Sequence, residues 1–169
     1  SDLFLGPDGD VYLLDPRSLH RVQDGALEPV REFSGEAIGS VDDLALGDGG
    51  ELWAVNREGV GHFVDGAWEV LDNQQVGPTG VDRLVGVVLD HGTPVVTTST
   101  RLLRLDGDAW QPLDVSALGD GVPYILRLRP SPRGDAYAQT PDAIMRLDGL
   151  SGERIAIGDA DSVDYGAGL

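Results

Sequence analysis

The hydrophobic pattern of this chain is a succession of short runs. Stretches of four to six residues rich in Val, Leu and aromatics are bounded by Gly, Asp and Pro. That is the length and composition of β-strands. No segment of ten or more residues carries a helical period; Glu36-Ala37-Ile38 and Ser116-Ala117-Leu118 are too short. The runs recur. DVYLLDPRSLHRVQDGALEPV (10–30), ELWAVNREGVGHFVDGAWEVL (51–71), TPVVTTSTRLLRLDGDAWQPL (93–113) and DAYAQTPDAIMRLDGLSGERI (135–155) align without gaps at offsets of 41, 42 and 42 residues. One column holds Tyr12, Trp53, Val95 and Tyr137. A second holds Leu27, Trp68, Trp110 and Gly152, a third Leu19, Val60, Leu102 and Ile144, and a fourth Val22, Phe63, Leu105 and Leu147. A glycine precedes each unit: Gly9, Gly50, Gly92 and Gly134.

Asp24-Gly25, Asp65-Gly66, Asp106-Gly107 and Asp148-Gly149 join the third run of each unit to the fourth, and Asp-Gly tolerates the positive φ of a tight hairpin. Gly6-Pro7-Asp8-Gly9 and Gly47-Asp48-Gly49-Gly50 join a first run to the second. Four strands per unit follow. A four-stranded meander cannot bury both its faces alone, so neighbouring units must stack. Val60 and Phe63 then meet different neighbours, and Trp53 and Trp68 are packing residues between units. The expected fold is all-β: a β-propeller built from four ~42-residue four-stranded blades. It reads as one domain over residues 1–169, with blades at about 1–31, 41–71, 81–113 and 123–157. Four units make a four-bladed ring or half of an eight-bladed ring formed by two chains. Residues 158–169 read as an extra strand, because Ser162-Val163-Asp164 repeats Ser40-Val41-Asp42. Such a strand would close the ring or exchange into a homodimer.

The units resemble the repeats of two-component-regulator-type β-propellers of sensor ectodomains, whose repeat runs roughly D-x-x-G-x-L-W and then G-L-x-R-F-D-G-x-x-W. Gly47-Asp48-Gly49-Gly50-Glu51-Leu52-Trp53 is similar to the first half, and Gly59 through Trp68 to the second. The likeness is good over 41–71, fair over 1–31 and 81–113, and weak over 123–155, where the aromatic column reaches Gly152. The motifs specify blades, so the resemblance implies no functional residues. It implies an extracellular or periplasmic setting. No Trp-Asp dipeptide occurs, unlike WD40 propellers.

Charge narrows the partners. The net charge is −17, and all 12 basic residues are arginine. This surface repels nucleic acid and anionic lipid. No run approaches the ~20 apolar residues of a membrane span. The absence of cysteine removes disulfides, thiolate metal sites and cysteine nucleophiles. With Ser1 in place of an initiator methionine, the chain is expected to be a processed or trimmed piece.

Candidate chemistry is sparse. No G-x-S-x-G elbow, P-loop, H-E-x-x-H or dinucleotide fingerprint occurs. His20, His62 and His91 occupy unmatched columns, which speaks against a converging catalytic or zinc set. Arg21, His62, Arg104 and Arg146 share one column; they could ring an anion, but paired structural cations are expected so far from the axis. Val41-Asp42 and Val81-Asp82 open first strands, at the face where propellers bind ligands. Asp42 and Asp82 are therefore candidate ligands for Ca²⁺, which takes several oxygens, although Asp there also caps its own turn. Asp42 and Asp43 are sequence neighbours on a strand and project to opposite faces, a poor acid–base dyad. The connectors between second and third strands open on the same face and diverge in sequence. With the approach to the fourth blade, they nominate Arg17, Arg57, Arg101 and Tyr124 as ligand-binding residues. Three functions fit: a non-catalytic module binding a ligand or protein, a propeller lactonase, lyase or hydrolase using a channel-bound cation, and a structural self-association module.

Overall fold

The computed structural model describes residues 2–6, 8–33, 36–77, 83–98, 100–119, 125, 127–131 and 133–155. It is a four-bladed β-propeller: four antiparallel four-stranded sheets stand in a ring, each a simple meander. Blade 1 comprises β1 (Asp2–Leu5), β2 (Val11–Asp15), β3 (Ser18–Gln23) and β4 (Ala26–Glu32). Blade 2 comprises β5 (Asp43–Leu46), β6 (Leu52–Val55), β7 (Gly59–Val64) and β8 (Ala67–Asp72). Blade 3 comprises β9 (Gly86–Asp90), β10 (Thr93–Thr97), β11 (Leu102–Asp106) and β12 (Ala109–Pro112). Blade 4 comprises β13 (Arg127–Pro130), β14 (Ala136–Gln139), β15 (Ile144–Asp148) and β16 (Ser151–Ile155). The first strands β5, β9 and β13 approach one another, as strands at a propeller axis do. Helix among the described residues is limited to one turn, α1 (Asn73–Val76), and a 3₁₀ turn at Ser116–Leu118. The sequence pattern shows no α1; a capping box makes it, with Asp72 accepting from the Gln75 backbone and Gln75 returning a bond to the Asp72 N–H.

The pleat sends alternate residues to opposite faces of each blade. In blade 2, register places Leu44, Ala54 and Gly61 in one row and Leu46, Leu52, Phe63 and Trp68 in another on the same face. This leading face packs on Tyr12, Leu14 and Leu19 of blade 1. Its trailing face carries Ala45, Trp53, Val55 and Val60 against Val87, Val96, Leu103 and Trp110 of blade 3. Blade 3 in turn lays Val88, Val95 and Leu102 on Leu128, Ala138, Met145 and Leu147 of blade 4. The two tryptophans of blade 2 thus serve different seams: Trp53 meets Trp110 edge to face, with centroids 6.2 Å apart, and Trp68 lies with Phe33 and Phe63. Gly152 replaces a tryptophan in its column because Met145 fills the space; a Cβ there would sit 2.5 Å from Met145 Cγ.

Three seams are made in this way. Among the described residues no corresponding apolar cluster joins blade 4 to blade 1. Instead Leu3, Leu5 and Leu27, on the leading face of blade 1, are 61%, 54% and 54% exposed. The expected closing strand at 158–169 lies outside the described residues.

Candidate functional site

First strands begin, and second strands end, at the same end of the propeller. At that mouth a cleft of ≈ 290 Å³ is lined by Asp2, Leu14, Pro16, Val41, Asp42 and Arg127. Its charged groups come from three blades. Val41 is held in place by its N–H, which donates to the Pro16 carbonyl at 2.9 Å, so the second blade's approach is tied to the first blade's β2–β3 connector.

Asp42 lies just before β5 and donates its N–H to Val55 O at 2.8 Å. Its carboxylate accepts from Arg83 Nη2 at 2.9 Å. Asp43, one residue on, is directed elsewhere. Its Oδ2 accepts the Val87 N–H at 2.9 Å, tying blade 2 to the inner strand of blade 3. Burial pushes its carboxyl up to about 6, with the Asp2 charge adding to the rise; the bonds from Val87 and Leu44 and the Arg129 guanidinium oppose it. Gly86 leaves room for this carboxylate, since a Cβ there would stand 3.2 Å from Oδ2.

The sequence candidates separate. Asp42 lies in the cleft. Arg17, Arg57 and Arg101 occupy the expected connectors on the same end, one blade each, and all are exposed, but none lines the cleft. Asp82 and Tyr124 lie outside the described residues. Among the described residues no three His, Asp or Glu side chains gather as a metal-ligand set. None of the three histidines lines the cleft. His20 shares a 2.8 Å hydrogen bond with Ser18 Oγ, and His62 stacks on Trp53 with centroids 4.0 Å apart. His91 lies in the β9–β10 turn, at the opposite end of the channel, with Nε2 3.4 Å from Asp135. The shared cation column is made of paired groups: Arg21 with Asp10, Arg104 with Asp90, and Arg146 with Glu153. Asp90, buried, also accepts the Ala136 N–H and so joins blade 3 to blade 4.

Sequence reasoning missed Asp2, Arg83 and Arg127. A signal for two of them existed. At the start of the inner strands, Asp2, Asp43, Gly86 and Arg127 fall at equivalent register positions. Along this column the charge runs from carboxylate in blades 1 and 2 to a cation in blade 4.

No protein-family model matches the chain, and no curated protein matches it. Solved propeller structures do. YCF48 bound to D1 peptide is 20% identical, with a TM-score of 0.56, over 89% of this chain and 50% of that one. A catalytically inactive virginiamycin B lyase from Staphylococcus aureus with quinupristin is 15% identical, with a TM-score of 0.60, over 94% and 55%. The extracellular domain of a hybrid two-component system from B. thetaiotaomicron is 12% identical, with a TM-score of 0.58, over 87% and 21%. The chain spans about half the length of the first two and a fifth of the third. At these identities the likeness concerns the fold.

Proposed function

We propose that the chain is a non-catalytic binding module that receives a cationic segment of a peptide or protein partner at the channel mouth. The observation that carries this reading is the cleft between blades, where Asp2, Asp42 and Arg127 converge without a histidine. Asp2, and Asp42 where an incoming cation displaces Arg83, suit an arginine, lysine or amino terminus, and the Arg127 guanidinium suits a peptide carbonyl or carboxylate. The net charge of −17 speeds encounter with cations. Fold neighbours that bind a peptide or form extracellular sensor domains support the reading, and with it a place outside the cytoplasm.

The test is fluorescence anisotropy with labelled decapeptides of basic, neutral and acidic composition. The basic peptide binds tightest and weakens with salt, and Asp42→Asn with Asp2→Asn weakens it at least about fivefold, as loss of charge-assisted bonds does. Equal binding of all three peptides, or no effect of the double substitution, sinks the reading.

One observation favours a second reading, an enzyme: burial pushes the carboxyl of Asp43, the neighbour of cleft-lining Asp42, up to about 6, in the range of a general base. Lyase and gluconolactonase structures are among the fold neighbours. A channel cation in that reading would compete with Arg83 for Asp42. Ca²⁺ would then raise the melting temperature of the wild type and leave Asp42→Asn unmoved.

A further inference from the structure

The repeat columns show what belongs on the uncovered face of blade 1. At an offset of 41 residues, Leu3 and Leu5 correspond to Leu44 and Leu46, Val11 to Leu52, Val22 to Phe63, and Leu27 to Trp68. The register in blade 1 places all five on one face, through the pairs Leu3 with Leu13, Leu5 with Val11, and Val22 with Leu27. Their counterparts in blade 2 are packed in the seam against blade 1. Among the described residues, blade 1 therefore carries a seam-making face with no seam.

The other end of the ring carries the complement. The trailing column Tyr12, Trp53, Val95 is buried in three successive blades. Its fourth member, Tyr137, is half-buried on the trailing face of blade 4, in one row with Arg129, Arg146 and Glu153. Ile144 and Ile155 form a second row there. In the seam between blades 2 and 3 a trailing aromatic faces the leading column of the next blade, as Trp53 faces Trp110. The missing joint would set Tyr137 against Leu27.

We infer that these two faces bind each other across two copies of the chain, blade 4 of each copy stacking on blade 1 of the other. A head-to-tail contact made twice about a two-fold axis closes on itself and leaves no free face. Eight blades result, each copy's four-bladed ring opening at the joint between blades 4 and 1, where Asp2 and Arg127 line one cleft in the single chain. The area suffices. Four strands at ~4.8 Å spacing and four to five residues at ~3.3 Å rise give about 300 Å² per face, and four faces reach about the 1,200 Å² of a specific interface.

Sedimentation velocity tests the assignment on the full chain. The wild type is expected at twice 17.9 kDa, and more completely at high salt, which screens the net charge of −17. Leu5→Asp and Tyr137→Asp, one on each face, should each raise the concentration for half-dissociation at least tenfold, with the β-sheet circular dichroism spectrum retained. Mixing the two variants leaves one intact joint per pair, so heterodimer should form where neither variant self-associates. A wild type that stays at 17.9 kDa at every salt overturns the inference. So does a dimer that both variants leave unchanged. A chain that is monomeric and binds a hydrophobic dye only after deletion of 161–169 overturns it in favour of the tail. The peptide cleft belongs to the single chain, where Asp2 and Arg127 line one mouth, so peptide binding is measured below the concentration of half-dissociation, and its failure there leaves this result intact.

Discussion

Asp42 and Asp43 are adjacent, yet their surroundings give them different chemistry. Asp42 reaches solvent and Arg83; Asp43 turns inward to the Val87 N–H. Desolvation disfavours the Asp43 carboxylate, so its pKa rises to about 6. A raised folded-state pKa in an acid means that the native state holds its proton longer than the unfolded chain. Its contribution is fully present below pH ~4, fades as pH rises through about 6, and stays lost above. Asp43→Asn keeps an oxygen for Val87 and removes the charge. It should flatten this part of the profile and be more stable than the wild type at pH 7 by about 1–3 kcal/mol. Urea unfolding at pH 4.5 and 7 measures the difference; a variant less stable at pH 7 refutes the account. The pattern of alternation told that neighbours diverge. It did not tell which one would be buried, because that depends on what blade 3 places beside it.

At the level of the element, the Asp-Gly hairpins divide into two kinds. In blades 1 and 2 the pair is the turn itself: Asp24 and Asp65 have φ of 52° and 50°, and Gly25 and Gly66 have 78° and 83°. Both central residues at positive φ is the type I′ pattern. In blades 3 and 4 the Asp ends its strand, pairing Asp106 with Ala109 and Asp148 with Ser151. Gly107 and Gly149 then open the turn at φ of 60° and 59°, as type II′ turns require. The gapless alignment already contained this shift, since Asp65 falls on Gly107, but the dipeptide itself hides it. Gly66→Ala meets no neighbouring atom and should cost only the left-handed penalty, about 1 kcal/mol. Gly59→Ala is a different case: its Cβ would stand 1.9 Å from Leu71 O. The β7–β8 pair would have to part, and a loss of several kcal/mol, roughly 3 or more, is expected. Thermal melts of the two variants should differ widely; similar melts would show that β7 tolerates a side chain there.

For the molecule as a whole, two opposing quantities matter: apolar seams hold the blades together, and 29 acidic against 12 basic residues push them apart. The repulsion is screened by salt while burial is not. The melting temperature should therefore climb by several degrees, roughly 5 °C, from low salt to about 0.5 M NaCl. Scanning calorimetry decides this, and an unchanged or falling value would mean that local ion pairs such as Arg104 with Asp90 outweigh the net charge. What the sequence alone determined is the repeated blade. Strand length, turn sites and the assignment of each apolar column to one face follow from local rules of pleat and turn chemistry that need no knowledge of distant residues. Tertiary structure decided the rest. Asp42 meets Arg83, 41 residues away, and the cleft joins Asp2 to Arg127. Three joints are sealed, and the faces of Leu3 and Tyr137 are left without partners among the described residues. Such pairings depend on distances across blades, and charge interactions and desolvation change steeply with distance and burial, so no pattern along the chain could specify them.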